Sequence, residues 1–249
     1  MKKNNKTGKK PLGVKTLFVV AVIAVVIVAA MFIYTSDYYR SEVSVEECKG
    51  NSSITIKEVS EGLFLNGEGT EDAIIFYPGG LVEYTAYLPL CAQLAEQGAD
   101  CFLVEMPFHL AIFGSNKADV IMKKYAYDGW YLAGHSLGGA MAANYVADNV
   151  DKVDGLIMLA AYPTKALVSE DLKVLSIYGN KDEVLNRDKL IAGAEFVPEH
   201  YTEIGMGGAN HAGFGNYGIQ EGDGEATKEP KKQQEMTVQY IMRMINQTY

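Results

Sequence analysis

A serine with glycine two residues before it and two after, in Gly134-His135-Ser136-Leu137-Gly138-Gly139, admits few folds around it. Trp130-Tyr131-Leu132-Ala133 ahead of it is short, uncharged and aromatic-rich, as a buried strand is. Ala140-Met141-Ala142-Ala143-Asn144-Tyr145-Val146-Ala147 behind it has the composition of a helix. A chain that passes from strand to helix through one serine bends so sharply that positions 134 and 138 must be small. The bend lifts the Ser136 hydroxyl above the sheet and aims the first helical N–H groups at the space beside it. The pattern alone also fits a glycine-rich helix start with no chemistry, so the strand and helix on either side carry the weight.

The same rhythm recurs along the chain. Ile54-Thr55-Ile56-Lys57-Glu58-Val59 alternates as a half-exposed strand does, and Leu63-Phe64-Leu65 is its expected hairpin partner. Buried strands are then expected at 73–77, 101–104, 130–133, 156–159 and 174–178, with a last short one at 201–204. Helices are expected over 87–97, 117–125, 140–147 and 231–245. Apolar strands alternating with helices imply an α/β fold, a mostly parallel central sheet covered by helices on both faces, made mixed by the antiparallel entry hairpin. About a dozen residues separate the strand at 156 from the one at 174, too few for a lid domain.

The N-terminus is of another kind. Residues 1–16 carry Lys2, Lys3, Lys6, Lys9, Lys10 and Lys15, and an uncharged apolar run follows from 17 to 34. That run is long enough to span a bilayer and lacks a small-residue cleavage site, so it reads as an uncleaved transmembrane signal-anchor, with a cleaved signal peptide as the rival. The lysine tail stays cytoplasmic, which sends the rest across: a single-pass protein of the cell membrane with its domain extracytoplasmic. Residues 35–53 read as a polar tether and 54–249 as the folded domain. With six lysines and no acid before residue 35, the remainder holds 16 basic against 31 acidic residues, a net of −15. Such a balance argues against nucleic acid as a partner.

In parallel α/β sheets chemistry gathers at the carboxyl ends of strands. A serine hydroxyl needs a base, and histidine is the usual one near neutral pH. His135 lies within the bend and points away from the serine. His200 precedes the last strand, on the wrong end. His211, in Gly207-Gly208-Ala209-Asn210-His211-Ala212-Gly213, follows that strand on a loop able to fold back over Ser136. Asp182, just past the strand at 174–178, is the expected acid that orients His211, with Glu183 as the substitute and helix capping as the plain alternative. Negative charge on a substrate oxygen needs backbone donors: the N–H of Leu137, and a second from the loop after 73–77, Leu81 or nearly as well Gly80. Tyr84, Phe108, His109 and Phe214 suggest an aromatic-lined substrate pocket, unless they are packing residues.

No metal or cofactor is expected, since no Cys/His spacing suggests zinc and the acidic tract at 221–225 lacks a spaced calcium-ligand set. Cys48, Cys91 and Cys101 are an odd count, and Cys91 and Cys101 read as small buried hydrophobes more readily than as a bridge. Asn51-Ser52-Ser53 and Asn246-Gln247-Thr248 fit the short glycosylation pattern, which recurs by chance.

From about residue 54 to the C-terminus the chain resembles the α/β-hydrolase superfamily. The residues that carry the resemblance are Gly134-His135-Ser136-Leu137-Gly138-Gly139, Tyr178-Gly179-Asn180-Lys181-Asp182 and Gly208-Ala209-Asn210-His211. Tyr77-Pro78-Gly79-Gly80, Met106-Pro107-Phe108 and the loop 210–218 are similar to a lidless, often membrane-anchored bacterial branch of dienelactone-hydrolase-like proteins. Ser136 stands where dienelactone hydrolases proper carry cysteine, and Pro78 where lipases commonly carry histidine. The resemblance implies the α/β-hydrolase fold and a serine hydrolase of carboxylic esters, with Ser136 as nucleophile, His211 as base and Asp182 orienting it. The substrate would be a small or surface-presented ester. An acyltransferase with the same three residues, or a non-catalytic binding module on the same fold, are the alternatives.

Overall fold

Uncharged runs with both faces apolar become the inner strands of one sheet. The computed structural model describes residues 13–50, 54–69, 71–169 and 171–246, so the lysines before residue 13 and both glycosylation patterns fall wholly or partly outside the described residues. The chain divides into two compact units, Met1–Asp37 and Tyr38–Tyr249.

The first unit holds one helix, α1 (Val14–Ser36). At about 1.5 Å per residue its 23 residues reach roughly 35 Å, enough to cross a hydrocarbon core of about 30 Å. Apart from Met31 and Thr35, its side chains from Thr16 to Ser36 are exposed, and by length and composition the helix is a candidate membrane span.

The second unit runs α2 (Val45–Gly50), β1 (Thr55–Val59), β2 (Gly62–Asn66), β3 (Asp72–Tyr77), α3 (Leu88–Glu96), β4 (Ala99–Val104), α4 (Lys117–Lys124), β5 (Gly129–His135), α5 (Leu137–Asp148), β6 (Gly155–Leu159), β7 (Lys173–Gly179), α6 (Arg187–Gly193), β8 (Thr202–Met206) and α7 (Pro230–Ile245). The eight strands form one sheet in the order β1-β2-β4-β3-β5-β6-β7-β8. β1, β2 and β4 pair antiparallel, and every pairing from β4 through β3 to β8 is parallel.

Alternation along each strand divides the core in two. Ile74 and Phe76 of β3 pack on one face with residues of α3 and α7, including Leu90, Leu94, Val238 and Ile241. Ala73, Ile75 and Tyr77 pack on the other with Ala118 and Ile121 of α4 and Ala142 and Val146 of α5. β5 is buried at all seven positions and carries no carboxylate, lysine or arginine. β1 and β8, the two edge strands, each bury a single residue fully, Ile56 and Met206.

Two segments differ from expectation. Residues 38–50, read as part of a polar tether, are built onto the domain. Tyr39 N–H donates to Leu81 O and Tyr39 O accepts from Glu83 N–H, both at 2.8 Å, and α2 follows. The turn after β7 carries α6, capped by Asn186, whose Oδ1 accepts from Lys189 N–H at 3.0 Å. Seven residues are too few for helical periodicity to register in sequence. Cys48, Cys91 and Cys101 are free thiols, the last two fully buried.

Candidate active site

The bend after β5 is as tight as its glycines imply. A Cβ on Gly134 would lie 2.5 Å from Gly138 C and 2.6 Å from Gly139 N. One on Gly138 would collide with the carbonyl oxygens of Tyr77 and Pro78. Ser136 itself takes φ 52°, ψ −122°, a conformation that L-residues rarely adopt and that is held here from both sides. Its N–H donates to Leu159 O on β6, and its carbonyl accepts Ala140 N–H to open α5.

β7 and β8 bring the other two residues in. Asp182 is 5 % exposed in the turn after β7. Its Oδ1 accepts from Val184 N–H at 3.0 Å and Leu185 N–H at 2.8 Å, which aims Oδ2 at His211 Nδ1, 2.9 Å away. Capping and orienting are thus divided between the two oxygens of one carboxylate. A carboxylate can only accept, so Nδ1 carries the proton, and the neutral ring presents a lone pair at Nε2. His211 Nε2 is buried and has no hydrogen-bond partner among the described residues. Ser136 and His211 line one cavity of about 270 Å³, whose other walls are Leu137, Ala140, Ala160, Ala161, Tyr162, Val184, Leu185 and Asn186. A larger cavity, of about 530 Å³, lies behind the His211 loop among Glu42, Asn216 and Asp223, and Ser136 does not reach it.

The backbone donors differ in part from expectation. Leu137 opens α5, so its N–H is among those a helix leaves unpaired. Leu81 N–H is already committed: it donates to His109 O at 2.8 Å. The left-handed backbone at Leu81 (φ 54°) and His109 (φ 54°) makes that bond, a loop register that sequence does not encode locally. Gly80 is the neighbour left facing the bend, and a Cβ placed on it would meet Leu137 Cδ2 at 2.9 Å and Cβ at 3.2 Å.

Of the expected pocket residues, none lines the cavity beside Ser136. Phe214 is fully buried beneath His135, ring centroids 5.5 Å apart. His109 is stacked under Tyr38 and Phe108 projects outward, 52 % exposed. Tyr84 lies in a short helical turn before α3. Their rings pack or project, while the cavity walls combine Ala140, Ala160 and Ala161 with larger side chains, among them Leu137, Tyr162 and Leu185.

Two residues near the site escape a reading by motif. Asp223, in the acidic tract, accepts from His211 N–H at 3.2 Å and Ala212 N–H at 2.8 Å through its two oxygens and so pins the histidine loop. The glycines on either side of Asp223, with Gly222 at φ 78°, were the available hint of a built turn. His135 sits with its ring centroid 4.5 Å from that of His211, and its Nδ1 lies 2.8 Å from Tyr87 Oη. Tyr87 Oη also accepts Gly79 N–H at 3.1 Å, and its own proton can be donated to His135 when Nδ1 carries none.

Burial first, and second the coulombic influence of the adjoining His211 ring, hold the His135 pKa well below the ordinary histidine value. Below about pH 6.5 the unfolded chain protonates this ring and the folded chain does not, so stability present above that pH drains away as pH falls. His135→Gln keeps an acceptor for Tyr87 and removes the titration. Its stability deficit relative to wild type should shrink by up to about 1.4 kcal/mol per pH unit below about 6.5. Urea denaturation of the two chains between pH 7.5 and 5 checks this; parallel profiles would show that His135 does not set the acid limb.

Comparison with known proteins agrees with this architecture. A profile of the alpha/beta hydrolase family matches residues 73–235. No curated protein sequence matches the chain. Among solved structures, the mouse alpha/beta hydrolase domain-containing protein 10 superposes with a TM-score of 0.58 at 13% identity, covering 80% of this chain and 100% of its own. A monoacylglycerol lipase of Paleococcus ferrophilus gives 0.58 at 13% identity, covering 77% and 99%. A dienelactone hydrolase of Anabaena variabilis gives 0.58 at 11%, also covering 77% and 99%. At such identities these neighbours speak to the fold, and the family rests on the profile, which spans more than half of the sequence and includes Ser136, Asp182 and His211. The chain belongs to the alpha/beta hydrolase family.

Proposed function

We propose that the domain is a serine hydrolase of carboxylic esters, held at the cell membrane by α1 with the domain on the extracytoplasmic side. The observation that carries this reading is the Asp182–His211 pair, which leaves His211 Nε2 unpartnered on the cavity that Ser136 also lines. In the proposed reaction Ser136 Oγ attacks the acyl carbonyl while His211 Nε2 takes its proton. The oxyanion is held by Leu137 N–H and Gly80 N–H, and Asp182 stabilises the imidazolium. His211 then gives the proton to the departing alcohol, and water activated by the same nitrogen releases the acid. His135, kept neutral by burial, does not oppose the positive charge that forms beside it. Ester chemistry is also in keeping with fold neighbours named as a monoacylglycerol lipase and a dienelactone hydrolase.

The cavity is small, at the lower edge of the roughly 300–1,000 Å³ usual for drug-sized ligands, and walled by alanines and the turn 184–186. Short acyl groups fit it best. On p-nitrophenyl esters from acetate to octanoate, the full chain in detergent should show kcat/KM highest among the short esters and about tenfold or more lower for octanoate. A folded chain that neither turns over any of these esters nor reacts with a serine-directed fluorophosphonate would overturn the assignment.

A further inference from the structure

The loop between β4 and α4 spends backbone strain to hold apolar side chains in water. Phe108 and His109 both adopt left-handed backbone, φ 56° and 54°, which is unfavourable for residues with a Cβ. The result is a patch in which Phe108, Ile112 and Phe113 are 52, 53 and 47 % exposed, the two phenyl rings edge to face at 5.8 Å. Single exposed apolar residues are ordinary, but three within six residues on a strained loop mark a surface built to be covered.

The chain itself points to what covers it. Tyr38 stacks on His109 of this loop, ring centroids 3.8 Å apart, and Arg40 Nη1 donates to Tyr38 Oη at 2.7 Å. Tyr38 follows Ser36, the last residue of α1, after a single intervening residue, Asp37. Tyr34, Tyr38, Tyr39 and Arg40 are also the residue types that settle at the membrane–water boundary. The loop is tied to the proposed chemistry as well. His109 O holds Leu81 N–H, next to Gly80, and residues 111–113 pack on α5, the helix that begins at Leu137.

We propose that Phe108, Ile112 and Phe113 insert into the outer leaflet of the bilayer that α1 spans, so that the domain lies on the membrane and does not swing free of it. This rests on reading α1 as a membrane span. The attraction is apolar. A domain with a net charge of −15 gains nothing from anionic lipid, so a zwitterionic surface suffices and salt has little effect. The consequence is a site that meets esters presented at the membrane surface before those in bulk water.

The test uses the full chain in phosphatidylcholine nanodiscs carrying brominated lipid, with Phe113→Trp compared against wild type, whose single Trp130 is buried and supplies the baseline. Phe32→Trp, within α1, reports the anchor. An interfacial side chain reaches about 5–10 Å into the leaflet, so Phe113→Trp emission should be quenched at least about twofold more by bromine placed near the headgroup than at the chain end. One-molar salt should leave that quenching unchanged. Quenching of Phe32→Trp alone would overturn the docking proposal and leave the anchor standing. Quenching of neither would overturn both. Unquenched, blue-shifted Phe113→Trp emission with two chains per disc would assign the patch to a second copy, which also overturns the proposal.

Discussion

Ser136→Ala should lower kcat/KM on short p-nitrophenyl esters by at least about 10⁴-fold and abolish fluorophosphonate labelling, with little change in stability. The size follows from what alanine removes. It deletes the one atom that the proposed mechanism uses to form the acyl-enzyme, while the proposed donors at Leu137 and Gly80 and the cavity remain to give whatever residual rate binding alone supports. The fold should survive because nothing structural hangs on the hydroxyl. Alanine has the same Cβ as serine and so bears the same strain at φ 52°, and the bonds from residue 136 N–H to Leu159 O and from Ala140 N–H to residue 136 O are main-chain. Circular dichroism and thermal unfolding alongside the kinetics separate lost chemistry from lost fold. Equal turnover by both proteins would make the bend a structural device here, and the binding-module alternative would take over.

The parts of the site visible in sequence are those whose position depends on chain order and sheet direction. β5 is uncharged because it is buried on both faces, and the glycines at 134 and 138 are there because backbone passes within contact distance of them. Asp182 and His211 follow β7 and β8 at the same end of a parallel sheet, so counting strands was enough to place them together. What could not be read depends on loop conformation. The choice between Leu81 and Gly80 as donor turns on two left-handed residues and one bond to His109 O, none of which has a local sequence signal. Aromatic residues attracted attention as pocket walls, yet Phe214 serves as packing under His135 and Phe108 projects outward. The walls include Ala140, Ala160 and Ala161, which are compatible with any buried position. Asp223 was masked by its acidic neighbours, although two backbone N–H groups of the histidine loop depend on it.

Asp182→Asn tests the division of labour within one side chain. In the wild type Oδ1 accepts two backbone N–H groups, from Val184 and Leu185, and Oδ2 faces His211 Nδ1. An asparagine must keep its oxygen on the two N–H donors, because turning the amide over would set its NH₂ against both of them. The NH₂ is therefore forced toward His211 Nδ1 and can only donate to it. The imidazole answers by moving its proton to Nε2, and a protonated Nε2 cannot accept the proton of Ser136. Geometry and packing are unchanged, yet the base is in the wrong tautomer and the imidazolium has lost its counter-charge. A fall in kcat/KM of about 10⁴-fold near neutral pH is expected, with the turn after β7 still capped and the unfolding midpoint close to that of the wild type. On the proposed mechanism Ser136, His211 and Asp182 work as one unit, so Ser136→Ala combined with Asp182→Asn should be scarcely slower than Ser136→Ala alone. Multiplicative losses in the double variant would mean that Asp182 supports something other than the Ser136 reaction. A full rate in Asp182→Asn would show that His211 takes its orientation from the Asp223-pinned loop, and the acid would then be a cap and nothing more.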